Sequence, residues 1–246
     1  MSVETLPSSK ALKTYEKLAV LRHEIEVEGD DAVAGKLTEL FDKIRNEEFV
    51  IGFCGHFSAG KSTMINRIAG VDLLPSNPIP TSANLAKIRN NEKAFALIDY
   101  TNEDSVEMPY PYDLQEIRRS AIDGKVRSIE IAHPLEGFPP GVTLLDTPGI
   151  DSTDEAHLAA TESALHLADI IFYVTDYNHV LSELNFAFLK QLQSQNKRVV
   201  LIVNQIDKHL SSELDFDDYR NGIARSFKEH DIEPEHIFYT SLKNEH

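Results

Sequence analysis

The chain of 246 residues sets 24 Lys and Arg against 40 Asp and Glu, a net charge of −16, with 41% hydrophobic residues and no Trp. That length holds one large domain, or one domain with an appendage, and the ordinary composition excludes disordered and fibrous classes. The acidic balance argues against nucleic acid and against direct adhesion to anionic lipid, while the lone Cys54, the lack of a signal run and the lack of a ~20-residue apolar span lead us to expect a cytoplasmic chain.

Residues 10–47 read as two amphipathic helices. Leu12, Tyr15, Ala19 and Ile25 keep roughly helical spacing, as do Val33, Leu37, Leu40, Phe41 and Ile44, and Glu28-Gly29-Asp30-Asp31 separates the two runs with a stop and a cap. The period then changes at Phe49–Cys54, a short and nearly continuous apolar run of the kind buried on both faces of a sheet. From there strands are expected near 49–54, 85–90, 94–100, 126–132, 142–146, 169–175, 198–204 and 236–240. Helices are expected near 61–70, 112–123, 155–168, 180–194 and 215–230. Such alternation predicts an α/β fold, a mostly parallel sheet flanked by helices. The strand at 126–132 alternates, which suits an antiparallel or edge position. Pro75, Pro78 and Pro80 stiffen the loop after the 61–70 helix.

Directly after the first strand, Gly55-His56-Phe57-Ser58-Ala59-Gly60-Lys61-Ser62 fits G-x-x-x-x-G-K-[ST] and opens onto an amphipathic stretch, the context a phosphate-binding loop requires. Backbone N–H groups from Gly55 to Thr63 can turn toward a phosphate, Lys61 can meet the β- and γ-phosphates, and the Ser62 hydroxyl can ligate Mg²⁺. Asp146-Thr147-Pro148-Gly149 ends another apolar strand. There the carboxylate can hold the metal through water, and the Gly149 N–H can meet a γ-phosphate. A third strand ends in Asn204-Gln205-Ile206-Asp207, close to N-K-x-D, and an aspartate accepting from the guanine N1 and N2 donors favours GTP over ATP. Ser241 and Leu242, behind the last strand, stand where a backbone N–H can touch guanine O6. All these motifs fall at strand tips, the edge at which ligands bind in open α/β sheets. Between them one threonine must close over the metal; Thr81 is the first candidate, Ser82 the second, and a turn threonine the remaining reading.

Through GHFSAGKST, IPTSA, LLDTPGID, NQID and TSLK the chain resembles the dynamin superfamily, in particular bacterial dynamin-like proteins. The resemblance implies a P-loop (Rossmann-like) GTPase fold with an enlarged mixed sheet over residues 48–246 and a neck-bundle-like helical segment over 1–47. It further implies GTP hydrolysis activated by pairing of two GTPase domains, Ser58 as the P-loop serine beside a K⁺ or Na⁺, Thr81 as the switch threonine and Gly149 as the γ-phosphate glycine. Membrane remodelling, by fusion or fission, would run through regions outside this chain, with peripheral membrane association of the full-length protein. Phe57 and Gln205 depart from the commonest pattern, and Ile150 stands where small GTPases carry a water-orienting glutamine. Two other readings stay open, a nucleotide-gated scaffold with negligible turnover and a GTPase of translation. Only five residues follow Ser241, so the chain is expected to be a fragment of something larger.

Overall fold

The computed structural model describes residues 9–74, 85–100, 105–110, 115, 126–151, 161 and 164–243. Two helices lead, α1 (Ser9–Glu28) and α2 (Asp31–Arg45), packed along one another. Gly29 takes a left-handed φ of 82° between them, and the Asp30 carboxylate accepts from the Val33 N–H at 3.1 Å as the N-cap of α2. The apolar stripes are only partly covered: Val20, Leu21, Val27 and Val33 remain exposed.

The strands β1 (Phe49–Gly55), β2 (Leu85–Asn90), β3 (Phe95–Tyr100), β4 (Val106–Pro109), β5 (Val126–His133), β6 (Val142–Asp146), β7 (Ile170–Asp176), β8 (Val199–Asn204) and β9 (His236–Tyr239) form one sheet. Their order is β4-β3-β5-β2-β6-β1-β7-β8-β9. From β6 to β9 every pairing is parallel; β2 then runs antiparallel to β6, and β5 runs parallel to β2. The mixed, mostly parallel α/β sheet expected from the sequence is present. All six residues of β8 are buried, as a continuous apolar run between two covered faces requires. The helices α3 (Lys61–Ala69), α4 (Glu183–Ser194) and α5 (Phe216–Glu229) follow β1, β7 and β8.

One core gathers Phe53, Ile65, Ile88, Ile98, Ile131 and Leu144. Another joins Cys54, Ile171, Tyr173, Leu189, Leu201 and Phe227 under α4 and α5. Cys54 is fully buried and burial raises its thiol to about 12, so this cysteine serves as a packing residue. Asn185 on α4 is fully buried and satisfies itself by accepting from the Tyr173 hydroxyl and donating to the Thr175 hydroxyl and the His179 carbonyl.

The strand β5 pairs antiparallel with β3, one of the two placements its alternating pattern suited, and parallel with β2 on its other side, inside the sheet. Two details depart from expectation. One edge of the sheet is β4, four residues ending in Pro109, too short to read from the sequence and suited by its proline to an unpaired rim. The helix expected from residue 180 begins at Glu183, because Ser182 caps it by accepting from the Asn185 N–H. The helices expected near 112–123 and 155–168 fall largely outside the described residues, with helix at Gln115, Thr161, Ala164 and Leu165.

Candidate nucleotide site

The motifs converge at the C-terminal edge of the parallel strands. β1 ends at Gly55, whose φ of 133° is open to glycine, and an added Cβ would sit 1.9 Å from the Val174 carbonyl oxygen. The chain then turns through His56–Gly60 into α3, with Ser58 in left-handed conformation at φ 59°. Four carbonyls of this turn are tethered by side chains. The Lys61 ammonium donates to the Gly55 carbonyl at 3.1 Å and the His56 carbonyl at 2.7 Å. The Gln205 amide donates to the Ser58 carbonyl at 2.9 Å, and the Asn204 amide to the Ala59 carbonyl at 2.8 Å. Gly60 meets Asn204 so closely that a Cβ there would stand 2.6 Å from the Asn204 amide nitrogen.

Ser62, in the first turn of α3, donates to Asp146 Oδ2 at 2.6 Å. Asp146 Oδ1 is buried and has no hydrogen-bond partner among the described residues. Burial pushes the Asp146 carboxyl up and the Lys61 ammonium down, and each opposes the other's shift by attraction. A hydroxyl and an orphaned carboxylate oxygen at the mouth of a phosphate loop are a donor set that fits a hard divalent cation, so the residues present suit Mg²⁺.

The DTPG segment lies against the loop. The Thr147 N–H and hydroxyl both donate to the Phe53 carbonyl, at 3.2 and 2.9 Å, and the Ile150 N–H donates to the Gly55 carbonyl at 3.1 Å. Gly149 has no room for a side chain, since a Cβ would lie 2.7 Å from the Phe57 nitrogen. Ile150 is buried at 4% exposure.

On the base side, β8 delivers Asn204, and the backbone turns through Gln205 at φ 63°. The Thr240 hydroxyl donates to Asn204 Oδ1 at 3.2 Å, and the Ile206 N–H donates to the Thr240 carbonyl at 3.1 Å. Asp207 accepts from the Ser241 hydroxyl at 2.8 Å and pairs with Lys243 at 3.3 Å; the Ser241 bond, aided by Lys243, holds its carboxyl below the usual range. Leu242 packs on the core near Gly60, and its carbonyl accepts from Arg67 at 3.4 Å.

The structure thus brings together Gly55, Ser58, Ala59, Gly60, Lys61, Ser62, Asp146 and Gly149 as one cluster, with Asn204, Gln205, Asp207, Ser241 and Leu242 beside it, and Thr63 on α3 next to Ser62. Thr81 and Ser82 lie outside the described residues. Sequence reasoning missed Asp151, which joins the loop directly, and Asn66, which is buried at 4% exposure. The Asn66 side chain accepts from the Leu73 and Leu74 N–H groups and donates to the Leu74 carbonyl, fixing the chain that leaves α3.

A model of the Dynamin family matches residues 51–207, which includes the loop, DTPG and NQID. The chain belongs to the dynamin family. It is 40% identical to Dynamin-like protein A of Bacillus subtilis (strain 168) over 214 residues, 87% of this chain and 18% of that protein. Dynamin-like protein 2 of Campylobacter jejuni is 24% identical over 214 residues, 76% of this chain and 34% of the relative. The probable transmembrane GTPase FZO-like, chloroplastic, of Arabidopsis thaliana is 28% identical over 192 residues, 77% of this chain and 19% of the relative. Among solved structures, an oligomerised bacterial dynamin pair described as a mechanism for the long-range sensing and tethering of membranes superposes with a TM-score of 0.63. Its identity is 17%, with 99% of this chain and 48% of that one covered, so the likeness is one of fold. This dynamin-family domain spans less than half the length of each of these relatives. None of its described helices is long and apolar enough to cross a membrane.

Proposed function

We propose that this domain binds GTP at the His56–Gly60 turn and hydrolyses its β–γ bond with Mg²⁺, as the catalytic part of a larger membrane-remodelling protein. The observation that carries the reading is the Ser62–Asp146 contact of 2.6 Å with Asp146 Oδ1 buried beside it and unpartnered among the described residues. Mg²⁺ would be held by Ser62, by Thr81, and by Asp146 through water, and when bound it supplies charge neutralisation at the β- and γ-phosphates. Lys61 would exchange its two loop carbonyls for phosphate oxygens. The Gly149 N–H would hold the γ-phosphate, and Asp207 would accept from guanine N1 and N2 while Ser241 and Leu242 offer N–H groups to O6. Ile150 has no group that can orient water, so the Thr81 carbonyl and Gly149 would place the nucleophile. Ser58 would seat a K⁺ or Na⁺ once two copies pair face to face. Membrane contact would come from parts of the full-length protein outside this chain.

The buried Ile150 also supports a second reading, a GTP-gated scaffold with little turnover. Binding of a fluorescent GTP analogue, with and without Mg²⁺, followed by single-turnover hydrolysis over a hundredfold range of protein concentration, tests both. Lys61→Ala is expected to abolish binding, because the ammonium neutralises phosphate charge. Undiminished affinity in Lys61→Ala refutes the site, and a turnover close to zero at every concentration favours the scaffold.

A further inference from the structure

A side chain just after the DTPG segment ties it to the outer half of the turn. Asp151 Oδ1 accepts from the Phe57 N–H at 2.5 Å, and Asp151 Oδ2 lies 3.5 Å from His56 Nδ1. Gly149, two residues earlier, packs its bare Cα side on Phe57, where a Cβ would come within 2.9 Å of both the Phe57 Cα and the Asp151 carboxylate. Phe57 itself is 42% exposed and is not part of the buried core. The next residue, Ser58, is held in a left-handed conformation that a non-glycine residue adopts only when its surroundings impose it. Gln205 and Asn204 impose it from the base side through the Ser58 and Ala59 carbonyls. On the opposite arm the His56–Phe57 peptide is held at its carbonyl by Lys61 and at its N–H by Asp151.

We propose that Asp151 is a positioning residue, a clamp that fixes the orientation of the His56–Phe57 peptide, and through it the placement of Ser58 relative to Gly149. The proposal rests on the GTP site described above. A turn free at Phe57 keeps its attachment through Lys61, Asn204 and Gln205, so nucleotide still binds. It no longer holds Ser58 and Gly149 in a fixed mutual register, and the reaction, which depends on both, slows. Misplacement of a reacting group by about 1 Å costs roughly a hundredfold in rate.

The test compares Asp151→Ala and Asp151→Asn in the full chain. The amide of Asp151→Asn can present its oxygen to the Phe57 N–H and its NH₂ to a neutral His56, so it is the conservative replacement. Asp151→Ala is expected to lower kcat roughly ten- to a hundredfold with nucleotide affinity changed less than about threefold. Asp151→Asn is expected to keep most of the rate. Hydrogen exchange supplies a readout that needs no nucleotide: the segment 56–58 should exchange faster in Asp151→Ala and not in Asp151→Asn, while the β-strands stay protected. Unchanged exchange at Phe57, an unaltered kcat in Asp151→Ala, or equal loss of rate in both variants overturns the clamp. Because the exchange measurement is independent of GTP, a chain that fails to bind GTP at all refutes the proposed function and leaves the Asp151 contact separately testable.

Discussion

Asn204 is the residue whose removal bears most directly on how the site is assembled. It is 1% exposed, donates to the Ala59 carbonyl at 2.8 Å and accepts from the Thr240 hydroxyl at 3.2 Å. It therefore joins the phosphate loop to the last strand through one amide. In Asn204→Ala two hydrogen bonds go, each contributing about 1 kcal/mol net, and the Ala59 carbonyl loses its partner at a further ~1–3 kcal/mol. The expected destabilisation is about 3–5 kcal/mol, large against the stability of an ordinary domain. Asn204→Asp separates the two bonds: its carboxylate still accepts from Thr240 but opposes the Ala59 carbonyl oxygen, oxygen against oxygen in a buried site. Nucleotide affinity should fall further in Asn204→Asp than in Asn204→Ala, because the charge repels both the loop carbonyl and an arriving phosphate. Urea unfolding gives the stability, and titration of a fluorescent guanine nucleotide gives the affinity. An Asn204→Ala protein less than about 0.5 kcal/mol weaker than the parent would refute the reasoning, since that loss is smaller than a single satisfied hydrogen bond contributes.

Asp207 is stabilised as a carboxylate by Ser241 first and Lys243 next, so its folded-state pKa lies below the unfolded one. The stability this contributes is present above the ordinary carboxylate range and is lost as pH falls through the depressed folded value; Ser241→Ala should move that loss to higher pH, as acid unfolding monitored by circular dichroism would report. Asp207→Asn should weaken GTP relative to XTP in competition binding, and unchanged preference would remove the residue from base recognition. Gly149→Ala places a Cβ 2.7 Å from the Phe57 nitrogen and must part the DTPG segment from the loop, so hydrolysis should be lost with the fold intact by thermal melting, and a fully active variant would show that the contact opens at no cost.

Most of the architecture was legible because the sheet is buried on both sides. Runs such as Val199–Asn204 have no polar face and can only be interior strands, and glycine-rich turns at their ends mark the phosphate edge. The sequence also reported the residue types that would meet the nucleotide, because their chemistry is fixed by phosphate and base. It did not report what holds those residues still. Asp151 and Asn66 act through backbone groups of residues 94 and 7–8 positions away, and no periodicity or spacing rule encodes a side chain that reaches a distant N–H. Gln205 illustrates the same limit from the other side. In the sequence it is only a departure from the lysine of N-K-x-D, whereas in the fold its amide supports the turn at Ser58. β4 and the interior position of β5 escaped for a different reason: strand neighbours are set by long-range pairing, and a four-residue run carries too little pattern to choose them.

The α1–α2 segment meets the domain at the far end of the sheet from this site. Lys43 on α2 donates to the Leu167 carbonyl at 2.7 Å and pairs with Asp169 Oδ1 at 2.7 Å, and Asp169 Oδ2 accepts from the Val50 N–H at 2.8 Å. Lys197 donates to the His166 and Ala168 carbonyls, so two ammonium groups close the carbonyl end of the turn at 164–168, where a helix terminus favours positive charge. Burial, and then the neighbouring Lys43, lowers the Lys197 ammonium, while Asp169 offsets part of that repulsion and holds the seam together. Val50 and Asp169 stand at the starts of β1 and β7, whereas Gly55 and the phosphate loop stand at the end of β1. The two ends are separated by a strand of seven residues, about 23 Å at 3.3 Å per residue. Lys43, Asp169 and Val50 thus tie α2 to the starts of β1 and β7, so the N-terminal helices are anchored at the end of these strands opposite the one that carries the phosphate loop.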